Sequence, residues 1–505
     1  MGIILRWLHL FYVADSPVLN RLIIDSAFYQ RWAEEIAGGD IIGEGVFFMS
    51  PLYPYLLGGL YFLFGSSPLP VVFLQTIFSG MTIWMLWNLG RRLGGEIPAI
   101  IAAWGGALFP VWIYFDGAIL TASLILFLNT AGLLLIFRWL ETGKLSTLFF
   151  SGLSFGLSAL ARPSALLISL FLAIWLLSRR RKKAALFFIV GTIVIISPVT
   201  IRNWLASGEF CLITASGGMN FFTGNNPQAT GLYSEAEFLR SSEPEFEAED
   251  YRREAQIRDG RPMNLTQSSR FWYGEGLSFI FANPLSAVRL YWNKFFYFWN
   301  NLEAPNNISY YLTRRYSPPL CFLRWGFGIL AALGMTGLIF TQKSREKEAL
   351  LIYLSAILAA NLLFFTSSEF RFPAVNVLLL GVGMLYFSLR GWIKEKKISW
   401  KAVVFLLFAL FLAHYQTQLA TKLKSPRMDF FNLGSVCLKD RDYSAAIEYF
   451  SLSLKEDANF HDALMGRGTA LLEVGRYEAA ATDFQSAGFD VTPDILKEKM
   501  EGVRD

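Results

Sequence analysis

The chain has 505 residues, of which 54% are hydrophobic and 16% aromatic, with 46 Phe and 15 Trp and a mean hydropathy of +0.39. That is more apolar side chain than one soluble core can hide, so an ordinary soluble enzyme is excluded. The net charge of +5 is gathered between apolar stretches, at Arg91-Arg92, Arg179 to Lys183 and Lys394 to Lys401, and therefore reports membrane topology, not nucleic-acid binding. Cys211, Cys321 and Cys437 are isolated, with no CxxC and no His at ligand spacing, so neither a disulfide framework nor a zinc site is indicated.

The first apolar stretch, Ile3 to Ala14, is short for a spanning helix and has no small-residue cleavage site. It reads as the remainder of a signal-anchor helix whose true start lies upstream. Spans follow at 69–90, 97–115, 118–138, 146–161, 163–178, 184–200, 319–340, 348–366, 373–390 and 400–418, giving an all-α chain with about 10–11 crossings. With the Lys/Arg-rich loops on the cytoplasmic side, the N-terminus is inside, 15–68 and 201–318 are outside, and the C-terminus is outside. A single interrupted helix across Ala161-Arg162-Pro163 would invert everything later, but the basic cluster at 179–183 opposes that.

Both external segments carry predicted structure. In 15–68, Ser26 to Ala37 reads as an amphipathic helix and Pro51 to Phe64 as an aromatic helix ending at Gly65, both suited to the bilayer interface. In 201–318, a Gly/Asn-rich turn region (Ser216 to Gly231) precedes a charged stretch (Glu235 to Asp259) and an aromatic amphipathic segment (Tyr291 to Trp299), together a cap over the membrane face.

The C-terminus repeats itself. Gly434 and Gly468, Leu438 and Leu472, Tyr443 and Tyr477, Ala446 and Ala480, and Phe450 and Phe484 are each 34 residues apart. This period resembles the tetratricopeptide repeat, in which small residues let paired helices approach and aromatics fill the groove. The expected organisation is a membrane region over 1–420, two such repeats over 427–490 forming a small α-solenoid, and a tail over 491–505. Two repeats are fewer than usually stand alone, which implies support from a partner or from the membrane region.

Asp25, in LIIDSAFYQRWAEEIAGGD, is the ionisable residue that stands out near the external face. It reads either as an N-cap of the following helix or as a functional carboxylate, and the two are compatible. Arg162, Arg202 and Arg371 fall at external helix ends, where an arginine either snorkels toward headgroups or makes bidentate contacts with phosphate. Asn220, Asn225 and Asn226, in GGMNFFTGNNP, read as turn formers or as binding groups, without the spacing of a nucleotide triphosphate loop. Glu34 and Glu35 read as surface charges, Glu44 as a loop charge or a substrate contact, and Tyr29, on the helix after Asp25, as a substrate contact.

Four segments taken in order bear a resemblance: DSAFYQRWAEEIAGGDIIGEGVFFMSPLYPYLLGGLYFLFG (25–65), LSALARPSALL, SPVTIRNWLASGEFCLITASGGMNFFTGNNPQATGLY and SSEFRFPAVNVLLL. Together they resemble the bacterial family 39 glycosyltransferases, GT-C membrane enzymes related to protein O-mannosyltransferases and aminoarabinose transferases. The resemblance implies a GT-C fold, a polyprenyl-phosphate sugar donor, and an Asp in the first external loop as general base or orienter; Asp25 stands at the matching position. A direct attack that displaces polyprenyl phosphate inverts the anomeric centre and needs no second carboxylate. The arginines would stabilise the departing phosphate. Met49-Ser50-Pro51 stands where some members have an acidic residue before the Pro, which weakens a metal-bridged model, so no metal site or other cofactor is assigned and a divalent ion is left without support.

The expected function is transfer of a sugar to a protein, lipid or glycan acceptor at the external face of a bacterial inner membrane, among membrane lipid, with the repeats periplasmic or extracellular and binding a protein partner. A transporter or flippase of lipid-linked saccharides would place ionisable groups deep in several spans, and here Asp116 is the main such residue. A repeat-bearing scaffold would need one anchor helix, not about ten.

Overall fold

The computed structural model describes residues 1–240, 243–305 and 307–504, with side chains described to residue 500. Among these residues the regular structure is helical, and the extended backbone makes a single parallel bridge, Leu232 with Thr366. The chain divides into two compact units. One takes Met1–Phe11, Ile24–Asn306 and Pro318–Tyr415; the other takes Tyr12–Ile23, Asn307–Ser317 and Gln416–Asp505.

In the first unit, Pro68–Gly94, Ala122–Thr142, Lys182–Ser207 and Ser368–Lys394 are long and apolar enough to cross a membrane. The span expected at 97–115 is broken, with Glu96–Ala107 and Pro110–Gly117 meeting at 49°. The cause is local: Pro110 has no N–H to give and pushes Phe109 into extended backbone. The next helix starts at Ala122, not at 118 as expected. The remaining apolar helices, among them Gly2–Val13, Leu52–Phe64, Leu145–Ala161, Phe327–Phe340 and Trp400–His414, are shorter.

Glycine sets the closest helix contacts. A Cβ at Gly152 would stand 2.0 Å from the Phe188 carbonyl oxygen, and one at Gly191 would stand 2.1 Å from that of Phe149. Leu145–Ala161 and Lys182–Ser207 therefore touch backbone to backbone, and Thr192 Oγ1 donates to the Gly152 carbonyl. Gly334, Gly337 and Gly381 do the same between Phe327–Phe340 and Val375–Lys394.

These contacts also give direction. Gly152 meets Phe188 and Thr192 while Gly156 meets Thr192 and Ile195, so the two helices run parallel. Two parallel helices need a returning segment between them, and Leu166–Ser178, a 13-residue apolar helix, is that segment. The helix ends fall into two sets accordingly. Arg179 pairs with Glu348 and Arg92 with Glu141 in one set, and Arg162 joins Thr121 and Glu369 in the other. Asn300 Nδ2 donates to the Leu412 and Tyr415 carbonyls, so the end of Trp400–His414 meets the segment that Arg371 holds.

In the second unit, Arg427–Lys439 with Tyr443–Glu456 and His461–Glu473 with Tyr477–Ser486 form successive helical hairpins. Gly434 packs on Phe450, and its counterpart Gly468 on Phe484. Asp429 is buried and accepts hydrogen bonds from Ser309 N at 2.7 Å and from Ser309 Oγ, which fastens 307–317 to the hairpins. Arg21 reaches Asp440 and Asp442 in the same unit.

Candidate active site

Asp25 is the second residue of the helix Ile24–Ala37 and is half-buried. It lies inside the first turn and does not precede it, where the unpaired N–H groups and the helix dipole favour an anion. Ile24 holds φ +50°, a left-handed conformation that costs a β-branched residue roughly 1–2 kcal/mol. Strain of this kind is retained where the surroundings over-determine it, and here it turns the chain sharply into Asp25.

One turn further, Tyr29 is buried edge-on to Tyr53 with ring centroids 5.3 Å apart. Burial pushes its phenol well above the usual range; the charges of Asp25 and then Glu369 push the same way, and Arg162 opposes them. Four side chains from three segments thus share one electrostatic neighbourhood. Tyr53 continues inward: its hydroxyl donates to Gln75 Oε1 at 2.8 Å, and Gln75 Nε2 donates to the Asp116 and Ala118 carbonyls.

Arg162 closes the helix Leu145–Ala161. Its Nη1 donates to the Glu369 carbonyl at 2.8 Å and its Nη2 to Thr121 Oγ1 at 2.9 Å and to the Glu369 carboxylate. Thr121 in turn donates to Glu369 Oε1 at 3.0 Å, and the guanidinium lies 4.7 Å from the centre of the Phe370 ring. Nothing local in the sequence marks Glu369, although it lies two residues before Arg371.

The other two arginines are engaged differently. Arg371 is 1% exposed; Nη1 donates to the carbonyls of Tyr297, Phe298 and Asn300, and Nη2 to that of Leu302 and to Glu303. It holds the carbonyls at the end of Pro284–Trp299, and Nε alone has no partner. Arg202 lies 3.8 Å from the Phe47 ring centre and donates to the carbonyls of Ile42 and Gly45. This pins the loop of Glu44, which is exposed between Gly43 (φ +62°) and Gly45 (φ +59°).

The asparagines are consumed by the protein itself. Asn220 Nδ2 donates to the Ser216 carbonyl. Asn225 is fully buried, donating to the Phe221 and Leu363 carbonyls and accepting from Lys294 Nζ at 2.9 Å. Asn226 donates to Phe222 and Thr223 and accepts from Gln228 N, but also borders a cavity of about 450 Å³. The structure brings Asp25, Tyr29 and Arg162 together and leaves Arg371, Arg202, Glu44 and the asparagines in other contacts.

Two buried ionisable groups carried no sequence signal beyond their segments. Burial pushes the Lys294 amine down to about 7. Glu247 is pushed up to about 8, first by burial and further by Asp25 and Glu235, against the hydrogen bond it accepts from Tyr233 at 2.7 Å. Among the described residues no three His, Cys, Asp or Glu side chains gather as metal ligands.

Fold and site together define a polytopic helical membrane protein in which Arg162, Thr121 and Glu369 meet at one set of helix ends, within electrostatic reach of the helix that begins at the strained Ile24. Residues 49–204, less than half of the chain, match the model of the dolichyl-phosphate-mannose-protein mannosyltransferase family. The match takes in Tyr53, Thr121, Arg162 and Arg202, and leaves Asp25, Tyr29 and Glu369 outside it. No curated protein matches the chain by sequence. Among solved structures, it is similar to the apo Archaeoglobus fulgidus oligosaccharyltransferase, at 15% identity and TM-score 0.46, over 88% of this chain and 59% of that one. It is also similar to ArnT from Cupriavidus metallidurans bound to undecaprenyl phosphate, at 14% identity and TM-score 0.45, over 94% of this chain and 79% of that one.

Proposed function

We propose that this protein transfers a sugar from a polyprenyl-phosphate donor to an acceptor at the external membrane face, with inversion, and that Asp25 is the general base. The observation that carries the reading is the placement of Asp25: a half-buried carboxylate, delivered by a strained Ile24 to a helix start, in the neighbourhood of Tyr29, Arg162 and Glu369. An acceptor hydroxyl loses its proton to the carboxylate as its oxygen attacks the anomeric carbon, and the C–O bond to the lipid phosphate breaks on the opposite face. Arg162 is the arginine whose charge acts on Tyr29, so it is assigned to the leaving phosphate, with Glu369 and Thr121 orienting its guanidinium. Arg371 and Arg202 hold the framework. The donor class is supported by the family description, which names a dolichyl-phosphate sugar.

The region 1–420 is then the transferase. The hairpins over 427–490, spaced like tetratricopeptide repeats, are an external accessory that binds a protein partner or acceptor. The buried Asp116 does not favour transport: Arg6, Ser79 and Ser123 all bond its carboxylate, which closes the group off. The test is incubation of purified protein with radiolabelled polyprenyl-phosphate sugars and a membrane extract, reading product and its anomeric configuration. Consumption of a donor with inversion supports the proposal; labelled lipid crossing the bilayer with no donor consumed, or a retained anomer, overturns it.

A further inference from the structure

The cavity of about 450 Å³ beside Asn226 has no part in the chemistry above, yet it has the size and lining of a small-molecule site. One wall is aromatic, from Phe222, Phe238 and Phe279, and Phe238 is backed by the buried Trp272, with centroids 5.6 Å apart and planes at 17°. The rest is polar, from Asn226, Glu237, Glu275 and Ser278 among others. Arg258 is the lining cation among the described residues, and it is already bonded to Glu254 at 2.8 Å, 3.7 Å from Glu275, and 5.2 Å from the Trp272 ring centre. An anionic ligand would meet carboxylates and a committed guanidinium. A ligand rich in hydroxyls or amines would find hydrogen-bond acceptors and a ring face for its C–H groups.

The cavity also lies close to the proposed chemistry. Arg31, on the helix that begins at Ile24 and carries Asp25, pairs with Glu245 at 3.1 Å, and Glu245 belongs to Pro244–Asp259, whose Arg258 lines the cavity. We infer that this cavity is a saccharide subsite, which holds a neutral or amine-bearing sugar unit of the acceptor and excludes anionic ones. This rests on the transferase reading for its purpose, though not for its measurement.

The experiment is isothermal titration of the full-length protein in detergent, without donor, using maltotriose, fully deacetylated chitotriose and trigalacturonate. Chitotriose binding at least as tightly as maltotriose, with trigalacturonate at least tenfold weaker, is the expected order. Ser278→Trp fills the cavity from an exposed position and should weaken binding at least tenfold at unchanged thermal midpoint; Ser286→Trp, exposed on the following helix outside the lining, should leave it unaltered. Absence of binding by all three, equal binding of trigalacturonate, or binding indifferent to Ser278→Trp overturns the inference. Since no donor is present, a failed transfer assay leaves this result standing.

Discussion

The Arg162–Glu369 pair joins the start of one span to the end of another, and its removal tests whether the site is held by it. The side chains are 12% and 6% exposed, so neither charge is well hydrated when its partner is lost. Breaking a buried pair from one side costs about 3–5 kcal/mol. Glu369→Gln belongs at the lower end, because Arg162 keeps the Glu369 carbonyl and the Thr121 hydroxyl. Arg162→Gln belongs at the upper end, because the Glu369 carboxylate is left with Thr121 as its remaining donor shown here. Replacing both removes the stranded charge, so the double variant should be about 2 kcal/mol more stable than the sum of the single losses, roughly 30-fold in the unfolding constant. Equilibrium unfolding by SDS in mixed micelles, followed by tryptophan fluorescence, measures the cycle. A double variant equal to the sum within about 0.5 kcal/mol would refute coupling between the two groups.

Gly152→Leu and Gly191→Leu each drive a side chain into a carbonyl oxygen of the facing helix, and each should abolish the monodisperse folded species in size-exclusion chromatography, whereas Gly59→Leu, with open space around it, should not. Glu247 has its ordinary value of 4.5 raised to about 8, so the folded state holds the proton more tightly. Its contribution to stability is present at low pH and declines as pH rises from about 4.5 to about 8; Glu247→Gln should remove that component of the slope, measurable from SDS unfolding midpoints across this range. Arg202→Ala frees the carbonyls of Ile42 and Gly45 and should make the 40–47 loop at least tenfold more sensitive to limited proteolysis, while Arg202→Lys, unable to fork, should recover little of the protection.

Much of the helical layout could be read from local pattern, because helix ends have local causes. The helix after Pro51 runs Leu52–Phe64 and closes at Gly65 with φ +79°, a backbone conformation that glycine adopts without a Cβ penalty. The break in the span expected at 97–115 also had a local sign, Pro110, which the length of the apolar run concealed. The site is different. Glu369 meets Arg162 across 207 residues, and no periodicity reports such a distance. Lys294 looks like one more polar residue in an amphipathic segment, and only the packing of Asn225 and the Leu362 carbonyl against it makes it a buried amine. Asp25 could be singled out because it follows an apolar run and opens a helix, but the strain at Ile24 depends on the tertiary path of the chain and has no counterpart in composition.

The most direct measurement is transfer by Asp25→Asn compared with wild type, using the donor identified by the radiolabelled panel and acceptor at saturation. The amide keeps the size and the helix-start position but takes no proton at working pH. A fall in kcat of about 10²–10⁴-fold, with the donor KM within threefold, is expected; a kcat within threefold of wild type would contradict the assignment of Asp25 as the base.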